Sequence, residues 1–191
     1  MATLDDVLTC QKNGVVAINN LSQSLTSFYN SYTYLSGKTT SPTVSVPAIL
    51  TQSAGRLVSY NTIIGGAAGT VVDTVAYNIK SATFAGGVAT ITYAGLKAYA
   101  LGDTITIIGC GGYDGTFVVT SQTPPATITY AIAGPLSTIT NQGVIYIKNA
   151  SQVLTSLSNI VGTYQVGCNF TNGLLALPGA GQSVNITYSI S

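Results

Sequence analysis

The chain has 191 residues, 46% hydrophobic and only 6% charged, with a net charge of +1 and no His. Its bases, Lys12, Lys38, Arg56, Lys80, Lys97 and Lys148, stand singly, which excludes the clustered basic footprint that nucleic acid requires. No apolar run of about 18 residues exists to cross a bilayer as a helix, and without His neither a Ser-His-Asp triad nor a Cys-His pair can form.

The N-terminus, MATLDDVLTC, is acidic and lacks the basic and apolar regions of a signal peptide, so synthesis and assembly in a cytoplasm are expected. Residues 3–35 read as one amphipathic helix. Thr3 can cap it, and Asp5 and Asp6 sit in the first turn, where the helix dipole favours negative charge. Heptad spacing puts Leu8, Val15, Ser22 and Tyr29 at a, and Leu4, Gln11, Ile18, Leu25 and Tyr32 at d. Leu21, Phe28 and Leu35 widen the seam. Gly14 weakens the middle by about 1 kcal/mol relative to Ala, and Gly37 is expected to end the helix. Such a helix can pack on its own domain or bundle with copies of itself. Gln11 and Ser22 in the seam fit a tolerant oligomer core, and a surface so poor in charge repels other copies weakly. The expected oligomerisation residues are Leu4, Leu8, Gln11, Val15, Ile18, Leu21, Leu25, Phe28, Tyr29 and Tyr32.

Residues 37–47, punctuated by Pro42 and Pro47, read as a linker. Nearly everything after them reads as strand: LVSYNTII (57–64), TVVD (70–73), VAYNIKSATF (75–84), VATITY (88–93), TITIIG (104–109), TFVVTS (116–121), ATITYAI (126–132), VIYIKNA (144–150), GTYQVGCNF (162–170) and SVNITYSI (183–190). Short, evenly spaced strands with Gly, Pro and Asn between them indicate a sandwich or small barrel. SQVLTSLSNI (151–160) reads as a helical turn or a loop.

GCGGYDG (109–115) has the glycine density of a phosphate cradle. It lacks the Lys of a P-loop, its third glycine is one place late for a dinucleotide fingerprint, and a β-branched strand follows instead of a helix. Asp114-Gly115 signals a hairpin turn instead. Asp103 beside Gly102 likewise reads as a turn residue, and Asp73 ends a strand, so no carboxylate pair is marked for catalysis. Lys97 is a lone candidate nucleophile that nothing marks out. No enzyme activity, cofactor or metal is expected. Cys10, Cys110 and Cys168 are odd in number and far apart, and read as reduced thiols. Among twelve tyrosines, Tyr93, Tyr99 and Tyr113 are candidate surface contacts, since Tyr joins a flat apolar face to a polar tip. The competing reading has alternating tyrosines covering the edge of a core.

Residues 86–134 contain the turn Gly102-Asp103, a strand ending at Gly109, the strand Gly115-Thr116-Phe117-Val118-Val119, and Thr129-Tyr130. This pattern resembles a small β-barrel-like module of tailed-phage virion proteins. Many members carry His-Gly before the Gly-Asp turn. This chain has AGLKAYALGD there, so any role of that His is absent. The flanking stretches 53–73 and 162–189, the latter with Gly173-Leu174, Pro178-Gly179-x-Gly181-Gln182 and a closing V-x-I-x-Y-S strand, resemble the two halves of a phage structural β-domain. The resemblance implies a mainly β protein: an N-terminal helix (1–36) forming a trimeric coiled coil, a linker (37–47), a discontinuous β-sandwich (48–76 and 145–191), and an inserted barrel-like domain (77–144). It further implies a short homotrimeric fibre on the outside of a virion. The expected partners are other copies of the chain, a head–tail connector or adaptor or capsid protein, and the host cell surface. Placement at the tail is favoured over a capsid head fibre or decoration protein. The rival from another class is a receptor- or glycan-binding module using loops 94–101 and 110–115.

Overall fold

The computed structural model describes residues 3–36, 39–95 and 99–190, with side chains given throughout except at Val7 and 25–36. Gly37 and Lys97, singled out above, lie outside the described residues. The chain divides into two compact units, Met1–Thr39 and Thr40–Ser191.

The first unit is helix α1 (Leu4–Ser36). Its start is a capping box: the Asp6 N–H donates to Thr3 Oγ1 at 3.2 Å, and the Thr3 N–H donates back to Asp6 Oδ2 at 2.9 Å. These bonds, with one from the Thr3 hydroxyl, hold the exposed Asp6 carboxyl below its ordinary pKa.

Among the described residues, seventeen strands follow: β1 (Thr39–Thr40), β2 (Thr43–Val44), β3 (Ala48–Thr51), β4 (Gly55–Ile64), β5 (Gly69–Asp73), β6 (Ala76–Ala85), β7 (Val88–Tyr93), β8 (Thr104–Ile108), β9 (Gly115–Val118), β10 (Ser121–Thr123), β11 (Thr127–Ala131), β12 (Ile139–Thr140), β13 (Val144–Ile147), β14 (Gln152–Leu157), β15 (Gly162–Phe170), β16 (Leu174–Leu177) and β17 (Ser183–Ile190). The protein is therefore mainly β with one N-terminal helix.

The strands form three sheets. An eight-stranded sheet runs β10-β11-β7-β6-β13-β8-β9, with β12 beside β6. A five-stranded sheet runs β1-β17-β4-β15, with β2 on β17, and a four-stranded sheet runs β14-β5-β16-β3. The eight-stranded sheet draws only on residues 76–147, and the flanking segments supply the other two. Its core includes Ile79, Ile91, Ile107, Ile128 and Ile145. Leu57, Val71, Leu174, Val184 and Ile186 belong to a separate core in the flanking sheets. Val72, Ala76, Val144 and Leu175 join the two parts. VATITY shows why these segments are strands: Ala89, Ile91 and Tyr93 are fully buried, while the intervening threonines Thr90 and Thr92 stay half-exposed.

Several expectations are corrected. Residues 152–157 are a strand, β14, rather than a helical turn or loop, because they pair antiparallel with β5 and bury Leu157 against it. Within the expected linker, Thr43 and Val44 pair with Asn185 and Val184, and Val44 is buried. β13 pairs with β6 and β8, so Ile145–Ile147, expected with the flanking strands, joins the eight-stranded sheet. The β8–β9 hairpin turns through a short 3-10 helix at Gly111–Tyr113, and Asp114 itself is extended (φ −65°, ψ 139°). The expected tight turn at Asp114-Gly115 is therefore a longer one. Two glycine-rich turns meet: the Ala67 N–H donates to Ala180 O at 2.9 Å, and a side chain at Gly179 would collide with the Ala67 carbonyl.

Candidate functional site

Apolar side chains recur along one face of α1. Every described side chain on the helix is exposed, including Leu4 (85%), Leu8 (59%), Val15 (57%), Ile18 (67%) and Leu21 (60%). Leu4, Leu8, Gln11, Val15 and Ile18 recur at alternating steps of four and three, which keeps them on one stripe at 3.5 residues per turn. Leu21 flanks that stripe, and Gln11 interrupts it with an exposed carboxamide. The stripe from Leu4 to Ile18 runs about 21 Å along the axis. Removing one such Leu or Ile from water contributes about 1.5–3 kcal/mol, so several together can drive association. The side chains of Leu25, Phe28, Tyr29 and Tyr32 lie outside those described. The helix carries three charges, Asp5, Asp6 and Lys12, so electrostatics opposes close approach of copies only weakly.

The tyrosines named as candidate surface contacts follow the competing reading and are core residues: Tyr93 is 0% exposed, Tyr99 3% and Tyr113 0%. Tyr93 stacks on Tyr77 at 5.4 Å between ring centroids and lies 5.0 Å from Tyr99. The Tyr99 N–H donates to the Tyr93 hydroxyl oxygen at 3.0 Å, and the Tyr99 hydroxyl donates to Ile145 O at 3.1 Å. Burial pushes the Tyr99 phenol far above its ordinary pKa. The signal that places Tyr93 inward was in the sequence, because it is in phase with Ala89 and Ile91. Tyr130 is likewise in phase with Ile128, and its hydroxyl donates to Tyr113 O at 3.2 Å.

The glycine-rich loop holds an anion of its own. The Asp114 carboxylate accepts the Gly109 N–H at 3.1 Å and also the Cys110 N–H, which are donors a phosphate would have used. Asp103 accepts the Ala100 N–H at 2.7 Å within its turn. Asp73, 4% exposed, accepts the N–H groups of Thr171, Asn172 and Gly173 and the Thr171 hydroxyl. These carboxylates are occupied as backbone staples. Cys110 is buried, and burial pushes its thiol up to about 11; Cys10 is exposed and Cys168 half-buried. Among the described residues, no three His, Cys, Asp or Glu side chains group to hold a metal ion. None of the helices among the described residues is long and apolar enough to cross a membrane. Comparison with protein-family models, curated proteins and solved structures finds no match to this chain.

Proposed function

We propose that this chain is a structural protein of a tailed-phage virion, a short homotrimeric fibre that self-assembles and docks on the particle through α1. The observation that carries this reading is the exposed heptad stripe Leu4–Leu8–Val15–Ile18, flanked by Leu21. A seam widened beyond a and d, with Leu8 at a and Ile18 at d, is compatible with three strands. In this reading the five- and four-stranded sheets form the outer sandwich and residues 76–147 the inserted barrel-like module, both projecting from the particle. Scarcity of charge, absence of His, and acids already spent on backbone N–H groups support a scaffold over an enzyme. The family resemblance leaves both the head–tail connector and the capsid open as docking partner; we take the connector, and labelled particles imaged by electron microscopy separate the two.

The assembly test is sedimentation equilibrium of the intact chain. A mass three times that of the monomer is expected. Val15→Asp together with Ile18→Asp, both exposed on the single chain, should return the monomer mass while the β unit melts unchanged. An intact chain that stays monomeric across micromolar concentrations would overturn the reading.

A further inference from the structure

A break in the eight-stranded sheet creates a polar groove. On one side of β6, the pairing with β7 steps from Ile79↔Tyr93 to Ser81↔Thr92, leaving Lys80 as a bulge. On the other side, β6 pairs with β12 at Ser81 and Ala82 and with β13 at Asn78, and residues 141–143 arch out between them. Both arms of the arch are stapled to β6: the Asn141 N–H donates to Lys80 O at 2.8 Å, and the Ile79 N–H donates to Gly143 O at 3.0 Å. Asn141 has φ 53°, alone in this respect among the described non-glycine residues. Such strain marks positions that the surroundings over-determine, and these gather at ligand sites.

The floor is equally constrained. Gly143 (φ 86°) abuts Gly109 and Cys110, where a Cβ would come within 2.9 Å of both. Gly109 and Cys110 are themselves pinned by the Asp114 carboxylate. Two adjoining hollows of about 410 and 400 Å³ share Pro47, Asn141 and Gly143 as walls. Asn78 and Lys80 line one hollow, and Gln142 and Gly109 the other. No acidic residue lines either, and Asn78, Lys80, Asn141 and Gln142 are exposed.

We infer that this groove binds an acidic saccharide, a short glycan carrying a carboxylate or phosphate. Carboxamides donate and accept in one fixed plane, which matches vicinal hydroxyls that do both. Three of them, Asn78, Asn141 and Gln142, are distributed over the two hollows, and the arch that carries two of them is held by backbone hydrogen bonds, which lowers the cost of ordering that backbone. Pro47 offers an apolar wall for the C–H face of a sugar ring. Lys80, unopposed by any lining acid, selects a negative substituent. The volume suits two or three sugar rings. All these residues lie in the Thr40–Ser191 unit, so the inference is independent of assembly through α1.

The test is retention of the intact chain on an array of neutral, uronate-bearing, sialylated and phosphorylated oligosaccharides. Retention on acidic glycans is expected, falling at least tenfold in Lys80→Gln. Asn141→Gly keeps the positive φ while deleting the carboxamide, and should weaken retention several-fold with an unchanged melting temperature. The inference is overturned if no glycan is retained, if neutral glycans are retained equally, or if neither substitution alters retention. A groove built for an extended peptide would give one of those overturning results.

Discussion

The carboxylate of Asp73 accepts the backbone N–H of Asn172 at 2.8 Å, a bond between residues 99 positions apart. Asp73 is the last residue of β5, just before the chain enters the eight-stranded sheet, and Asn172 lies in the turn between β15 and β16. The same carboxylate takes the N–H of Thr171 at 2.8 Å and of Gly173 at 3.3 Å. One side chain therefore satisfies a whole turn and ties the two flanking segments together where the intervening sheet departs.

Asp73→Asn replaces an acceptor-only group by one that must point an NH₂ at backbone N–H donors. It should cost about 3 kcal/mol, since bonds to a charged acceptor are each worth about 1.5–3 kcal/mol and the donors would be left buried. Asp114→Asn, at an exposed turn, should cost about 1 kcal/mol. Urea denaturation followed by tyrosine fluorescence ranks the two; equal midpoints would contradict the role of Asp73 in holding the 171–173 turn.

In α1, Gly14 meets no atom within 4 Å where a Cβ would stand. Gly14→Ala should therefore stabilise the helix by about 1 kcal/mol. Far-UV circular dichroism should show later loss of helix on heating, with the β signal unmoved. The opposite sign is expected at Gly143, where φ is 86° and a Cβ would lie 2.9 Å from Cys110. Gly143→Ala should destabilise by about 2 kcal/mol or more.

The three thiols should separate by access. Cys10 is exposed at an outer helix position and should react first with a thiol-specific disulfide reagent. Half-buried Cys168 should lag, and Cys110, 0% exposed, should react only in denaturant. Rapid modification of all three in the native chain would mean that the eight-stranded sheet opens readily.

Alkaline pH should destabilise the β unit. Burial raises the Cys110 thiol from 9.0 to about 11, and raises the Tyr99 and Tyr130 phenols above their ordinary 10.0. The fold thus favours the neutral forms, so their contribution is complete below pH 9.0 and is lost as pH rises through the folded-state values. The melting temperature should stay level to about pH 9 and then fall. Phenolate absorbance of these tyrosines should appear only with unfolding; titration near pH 10 in an intact fold would contradict their burial.

Much of this was legible in the chain. The Thr3 cap follows from residue type, and the heptad stripe of α1 and strands with alternating or β-branched character such as β7, β11 and β17 follow from local periodicity, which one segment carries by itself. Local periodicity also contained the burial of Tyr93 and Tyr130, through their phase with neighbouring isoleucines. It did not mark β14 or β16: QVLTSL lacks strict alternation, and LLAL is a short apolar run that lies in the middle of a sheet. Their strand state comes from pairing with β5, at partners 79 to 107 residues away in sequence.

By itself, then, the sequence determined the mainly β class of the protein, the apolar stripe along its helix, and the absence of His-based chemistry, because these depend on residue types and spacing. Only the tertiary structure decided which glycines meet, which carboxylate fills the Gly109–Cys110 turn, and where Lys80, Asn141 and Pro47 converge. Those facts depend on register between distant strands, and a bulge at one residue changes which side chains share a face.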